Sequence, residues 1–583
     1  MSTHAVASAL ARLRVAADIV NKGWAPSDWR IIDEAGAETA FHRAFSPGAI
    51  SWDVGGIGEL DLTPGTRVTL RTTLEPPVAL HGVDLTGDRL EATVKSLYPI
   101  EVLIDGQMTL SESIPPVAAG PALLTVDNSI EPGRGRELEI TIRPLEGQRG
   151  GGVTWLDMVF TTPGLRRRFD VLDLAWARLS LANEVAGAHA QRAAVEAAAD
   201  LVHEDLLDLT HEDLSSALEQ MALALRPLAA SIAAVDVHVI GHAHIDLAWL
   251  WTWNDTREVI KRDIRTVLSI MSDYPEATFT HSQPAGYEVI RTEEPQMFQE
   301  VRRLIDEGRW EPATAQWVEG DTNLASGEAM VSQLLEGVSF SREHLGVTPR
   351  VFLAPDTFGH SANMPQLVTT AGAKVYYHIR CNPGSAQGRM WPAYWWEGAD
   401  GTRILAVSTT SYSGHPTAGS IAGAAIDALR AGLQTALLFI GVGDHGGGPT
   451  RLGYDTLRSV GAAEGMPSAR CSTIAAYADQ VLGSGVDLPV HRGESARIFE
   501  GCYTTHAEGK QANRYAENQL STAESIAALA GLSRPAELTD AWRRVCFNQF
   551  HDIIAGSAVP DVYDMAMDDY ASVASSTDDV IDR

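Results

Sequence analysis

Lysine is scarce in this chain: Lys22, Lys95, Lys261, Lys374 and Lys510 stand against 40 arginines in 583 residues. Few amines are on hand for a Schiff base, so covalent amine catalysis falls low among the options. Cysteine is scarcer still. Cys381, Cys471, Cys502 and Cys546 lie far apart with no paired metal or redox spacing, and they read as reduced thiols. No apolar run reaches the roughly 18 residues of a membrane helix. The opening MSTHAVASALARLRVAADIV lacks the basic-then-apolar layout of a secretory signal, since Arg12 and Arg14 interrupt its pattern. A soluble, cytoplasmic protein is expected. Positive charge is the last shortage: 45 basic residues against 75 acidic ones leave a formal charge of −30. Such a surface repels polyanions, so neither nucleic acid nor an anionic membrane is an expected partner.

A hydrophobic content of 45% suits globular folding, and the length asks for about three domains. The expected fold class is multidomain α/β. Residues 1–24 read as an N-terminal helix. Short alternating segments over 25–167, among them TRVTLRTTL, DRLEATVKSL, IEVLIDG and RELEITIRPL, predict a β-sandwich-like domain. Ala/Leu/Glu-rich helical spacing over 168–234 predicts a helical connector. From 235 to 495, apolar strand segments alternate with helical patterns. That predicts a (β/α) barrel-like catalytic domain, with reactive groups at the carboxyl ends of parallel strands. Residues 496–583 read as a helical bundle, and the last pattern, VYDMAMDDYASVASSTDDVIDR, stops without a cap, which predicts a truncated chain.

Four stations carry candidate chemistry. In GHAHIDLAWLW (241–251) an apolar run ends with His242, His244 and Asp246 on alternate positions. On a continuing strand these share a face, and neutral imidazole plus carboxylate suits zinc or a neighbouring divalent ion. The alternative is ordinary: one histidine caps a strand, another satisfies the core, and Asp246 caps the next helix. In RVFLAPDTFGHSANMPQL a strand ends at Pro355 and places Asp356 at its carboxyl end, as a reactive group or as a turn former. In ALLFIGVGDHGGGPT, Asp444 sits in a glycine-rich loop that lets backbone approach a ligand but lacks the Lys-Ser/Thr of a phosphate loop. FNQFHDIIAGS supplies the pair His551 and Asp552, a site or an exposed polar face.

Together with AQWVEGDTNLASGEAMVSQ, YWWEGADGTRIL and GCYTTHAEGKQANR, these segments in this order resemble family 38 of the glycoside hydrolases. These are the class II α-mannosidases, and the likeness is to their cytosolic and vacuolar branch. The resemblance spans roughly residues 90 to 570. It implies one metal ion per chain, zinc with cobalt as the alternative, held by His244, Asp246, Asp356 and His551, with His242 behind them. It implies a retaining mechanism with Asp356 as nucleophile and Asp444 as acid/base. His445 departs from the glycine usual beside that residue. Trp249, Phe358, Arg380, Tyr412 and Asp552 are the implied sugar contacts, whereas Trp251, Trp253, Trp395 and Trp396 read as core. The implied substrate is a terminal α-mannoside of an oligosaccharide, and a homo-oligomer stays open as the assembly. Family members carry β domains after the helical bundle that nothing here matches. Two alternatives stay open: a metal-dependent deacetylase-like hydrolase, in which Asp356 is a ligand only, and a non-catalytic carbohydrate-binding fragment.

Overall fold

Alternation in VTLRTTL and IEVLI places Leu70, Thr72 and Leu74, and Ile100, Val102 and Ile104, on one buried face when extended, and both segments are strands, Val68–Leu74 and Ile100–Ile104. The computed structural model describes residues 2–24, 29–32, 38–41, 67–96, 100–112, 122–142, 156–441, 443, 446–496, 498–533 and 535–582. Part of the strand-rich stretch expected over 25–167 therefore lies outside the described residues. The chain forms two compact units. One comprises Met1–Val237, His415–Leu429 and Leu452–Arg470; the other comprises His238–Gly414, Arg430–Arg451 and Cys471–Arg583.

In the first unit an antiparallel six-stranded sheet runs in the order Glu38–Phe41, Trp29–Ile32, Val68–Leu74, Arg136–Ile142, Ile100–Ile104, Gln107–Glu112. A second sheet sets Leu90–Ser96 antiparallel between Leu156–Thr161 and Ala122–Asp127. Helix Pro163–Val185 follows, with the Thr162 hydroxyl accepting from the Leu165 N–H at 3.2 Å and proline at the start, where its missing N–H costs nothing. Helix Ser2–Asn21 packs against it.

In the second unit short strands alternate with helices. Phe279–Ser282, Val351–Ala354 and Val375–His378 are buried at every residue, as strands covered on both faces must be. One sheet has the order Trp310–Ala313, Phe279–Ser282, Asp236–His242, Thr435–Ile440. Its first three strands are parallel. The other runs Val351–Ala354, Val375–His378, Arg403–Val407, Ala393–Glu397, Val490–Arg492; it is parallel except where Ala393–Glu397 meets Arg403–Val407. Single bridges join Thr314 to Phe352 and Gly414 to Gly441. Helices Ala507–Leu529, Ala536–Asn548 and Pro560–Asp582 pack on one another as the helical C-terminal region.

The strand expected to continue through Asp246 stops at His242. Beyond that point the backbone partners change. The glycine-rich loop comes so close that a Cβ on Gly441 would lie 2.1 Å from the His242 carbonyl oxygen, and the Gly446 N–H donates to the His244 carbonyl. Among the described residues no helix is long and apolar enough to cross a membrane, and no cysteine is in a disulfide.

Candidate metal centre

Three segments of the second unit deliver the site. The first is the loop after Asp236–His242. Its carbonyls are held by side chains: that of Asp246 by the Trp251 indole N–H at 3.1 Å and the Thr256 hydroxyl at 3.2 Å, and that of Ile245 by the Gln283 amide at 2.9 Å. Trp251 is thus core, as expected, and also fixes the loop. The second is the turn after Val351–Ala354, where the Asp356 and Thr357 N–H groups donate to one oxygen of Glu319 at 2.6 and 3.0 Å. The third is the break between helices at Gln549 and Phe550. The Gln549 amide is tied to Asn513 and Glu517 at 3.1 and 3.0 Å, Phe550 bridges Gly320, and the short helix His551–Ala555 begins there.

These segments bring His244, Asp246, Asp356 and His551 together, all buried, with one ligand atom from each lying within 4.8 Å of the others. His244 Nε2 is 2.8 Å from Asp246 Oδ1; His551 Nε2 is 3.5 Å from both Asp246 Oδ1 and Asp356 Oδ2. Ligands about 2 Å from a tetrahedral zinc stand roughly 3.3 Å apart, so the spacing fits such an ion. The orphaned atoms agree: His551 Nε2 is buried without a hydrogen-bond partner, and its Nδ1 is 2.9 Å from the Glu319 carbonyl oxygen. A backbone carbonyl only accepts, so Nδ1 carries the proton of the neutral ring and Nε2 presents its lone pair to the cluster.

The charges point the same way. Asp246, Glu319, Asp356 and Asp552 surround the two imidazoles, and Arg380 reaches Asp356. Burial alone would lower the His244 pKa, but Glu319, Asp246 and Asp356 outweigh it and push it up to about 9; His551 is likewise raised. Burial, with Asp246 and Asp356 nearby, pushes Asp552 up to about 7 although His551 opposes it. Burial would also raise Asp356, yet His551 and Arg380 hold it below the usual carboxylate range. Carboxylates that draw protons onto buried imidazoles offer the same attraction to a divalent cation. The residues present fit a metal ion.

Most of the candidate sugar contacts lie against this cluster. Arg380 Nε donates to Asp356 Oδ1 at 2.5 Å, and the Tyr412 hydroxyl donates to the same oxygen at 3.1 Å. The Phe358 ring meets His551 edge-on, 5.3 Å between centroids, and Arg380 lies over it. Asp552 Oδ2 is 3.6 Å from His551 Nε2, while its Oδ1 accepts from the Ser557 hydroxyl. Trp249 is half-buried and stacks edge-on with Trp251, and its carbonyl accepts from the Val559 N–H at 2.8 Å. His242, buried, turns Nδ1 to the Thr280 carbonyl at 2.8 Å, and burial takes its pKa down to about 3. Asp444 and His445 lie outside the described residues. The described part of their loop is anchored by the Gly447 N–H on Asp263 at 2.6 Å. Sequence reasoning missed Glu319, an acid in the segment that follows the strand Trp310–Ala313.

Residues 234–494 match the N-terminal domain of glycosyl hydrolases family 38, and residues 497–583 match the alpha mannosidase middle domain. Human alpha-mannosidase 2C1 is 33% identical over 353 residues, 58% of this chain and 34% of that protein. The alpha-mannosidase of Saccharomyces cerevisiae is 31% identical over 355 residues, 56% of this chain and 32% of that protein. The chain thus spans about a third of the length of these curated relatives. Among solved structures, an alpha-mannosidase from Enterococcus faecalis shares the fold with a TM-score of 0.54 at 20% identity, over 60% of this chain and 42% of that one.

Proposed function

The chain belongs to glycosyl hydrolase family 38, and from that premise we propose that it carries the catalytic centre of a metal-dependent, retaining α-mannosidase. Its substrates would be terminal α-mannosyl residues of oligosaccharides, its ion zinc or cobalt, and its compartment the cytoplasm. The two sheets of the second unit, joined by the Thr314–Phe352 and Gly414–Gly441 bridges, are taken as the distorted (β/α) barrel that presents the site, and the two antiparallel sheets of the first unit as a β-sandwich. The observation that carries the reading is the buried two-histidine, two-aspartate cluster with Asp356 both inside it and held by Arg380 and Tyr412.

His244, Asp246, Asp356 and His551 would hold the ion. When bound, it would supply a Lewis-acid grip on vicinal hydroxyls of the mannose at the cleavage point. Everything else falls to side chains. Arg380 and Tyr412 orient the Asp356 carboxylate and keep it ionised, so that it attacks the anomeric carbon and forms a glycosyl ester as the glycosidic bond breaks. The leaving oxygen takes a proton from a second carboxyl group, assigned to Asp444 from its place in the glycine-rich loop. That group then removes a proton from water, the water oxygen bonds to the anomeric carbon, and Asp356 is released. A retaining pair stands about 5–5.5 Å apart. Phe358 offers a ring to the apolar face of the sugar and Asp552 an acceptor to its hydroxyls.

A fluorinated mannosyl reagent followed by peptide mass spectrometry tests the reading. Metal-dependent labelling of Asp356, lost in Asp356→Asn, is expected. Metal-dependent cleavage of amides or esters with no label would point to the deacetylase-like chemistry instead. An aryl α-mannoside that bound but never turned over, with metal present and no label formed, would leave only sugar binding. For the acid/base assignment, Asp444→Ala should slow a poor leaving group far more than an activated one; equal rates would remove Asp444 from that role.

A further inference from the structure

Glu319 is wholly buried, and a single residue so placed touches three members of the cluster from behind. Its Oε1 accepts from the Asp356 N–H at 2.6 Å, the Thr357 N–H at 3.0 Å and the Thr357 hydroxyl at 3.3 Å. Its carbonyl oxygen faces His551 Nδ1 at 2.9 Å and accepts the His551 N–H at 3.2 Å. Its Oε2 stands 3.4 Å from His244 Nδ1. Neither of those last two atoms has a hydrogen-bond partner, and both are buried, so each offers the other a remedy for lost solvation. Its own N–H is spent on Gln283 at 3.0 Å, which also holds the Ile245 carbonyl of the first loop.

A residue kept only to shape the turn at Asp356 would need Oε1 alone. We infer that Glu319 is a positioning residue for metal binding: its carboxylate takes the Nδ1 proton of His244, its carbonyl takes that of His551, and both rings are thereby fixed with Nε2 lone pairs converging. Imidazole binds a metal through an unprotonated nitrogen, and the partner of the other nitrogen selects which one that is. The inference rests on the reading of the cluster as a metal centre. It adds a residue outside the ligand set and assigns it the tautomers of both histidines.

The discriminating variant is Glu319→Gln. Glutamine keeps the size, and with its oxygen in the Oε1 place it keeps the bonds to Asp356 and Thr357. Its NH2 group then faces His244 Nδ1, which must accept, and the ring proton moves to Nε2, where the ligand lone pair is needed. Zinc affinity, measured on the metal-free chain by competition with a chromophoric chelator, should fall by about 10–100-fold. The thermal stabilisation gained on adding zinc should shrink. Thr357→Val, which removes the hydroxyl's bonds to Glu319 Oε1 and the Gly320 carbonyl and leaves Oε2 in place, should leave zinc affinity unchanged. If Glu319→Gln does not fold, Glu319→Asp keeps the charge but draws it one methylene back from His244, and the same loss of affinity is expected. Parental zinc affinity in the folded glutamine or aspartate variant overturns the inference. So does a loss that Thr357→Val reproduces together with lowered metal-free stability, because that marks a role in the turn alone. A parent chain that binds no zinc, cobalt or other divalent ion would instead remove the metal-centre reading, and the inference with it.

Discussion

Two clusters of buried histidines lie in the second unit, and they behave in opposite ways. His244 and His551 stand among carboxylates, whereas His360 and His378 stand among phenols. In the second cluster His360 Nδ1 pairs with the Tyr376 hydroxyl at 2.8 Å, and His378 pairs with the Tyr394 hydroxyl at 2.5 Å and, through Nδ1, with the Arg380 carbonyl at 2.9 Å. The two rings meet edge to face, 4.6 Å between centroids. Burial drives His378 down to about 4 and His360 well below its ordinary value, while carboxylates lift His244 to about 9 against the same burial. Histidine burial by itself therefore marks nothing. What separates a candidate metal centre from a packed core is the charge around the ring, since a phenol trades a hydrogen bond with neutral imidazole and a carboxylate recruits a cation.

The contrast breaks most visibly in turnover. Asp356→Asn should lower aryl α-mannoside hydrolysis by roughly 10⁴–10⁶-fold, the scale seen when a group that acts as a unit with its neighbours is removed. Tyr376→Phe, in the phenolic cluster, should stay within a few-fold of the parent, roughly the reach of a lost structural hydrogen bond. Comparable losses in both variants would mean that the distinction between the clusters is false.

Metal binding gives the next largest effect. One ligand of four carries about a quarter of a binding free energy of ~10–16 kcal/mol, so His551→Ala should weaken zinc roughly 10²–10³-fold. The chelator competition proposed for Glu319 reads this directly. His360→Phe should leave zinc affinity as it is and lower only thermal stability, because it strands the Tyr376 hydroxyl. Zinc lost from His360→Phe, or kept by His551→Ala, would exchange the identities of the two sites.

Sequence reasoning named the four clustered side chains through ordered motifs, not through the local geometry it invoked. The alternation of His242, His244 and Asp246 suggested one strand face, but the strand ends at His242 and a loop pinned by Trp251, Thr256 and Gln283 does the converging. Periodicity made the strands and helices legible, because burial of one face repeats along the chain itself. The grouping of His415–Leu429 and Leu452–Arg470 with the N-terminal unit was not legible, since it depends on packing between residues far apart in sequence. Glu319 escaped notice for a related reason. Its importance lies in three partners, Asp356, His244 and His551, that only the fold assembles.

The smallest effect is the most specific to the phenolic cluster. His378 is buried and neutral, with a folded pKa of about 4 against about 6.5 when unfolded. Between these values the unfolded chain binds a proton that the folded chain refuses. The contribution of His378 is therefore complete above about pH 6.5 and lost as the pH falls through about 4. Glutamine does not titrate and can still offer an acceptor to Tyr394 and a donor to the Arg380 carbonyl. The stability difference between the parent and His378→Gln, read from urea midpoints of the metal-free chain, should thus narrow steadily from pH 7 to pH 4. A difference that stays constant over that range would mean that His378 carries a charge when folded, and that its tyrosine neighbours do more than burial permits.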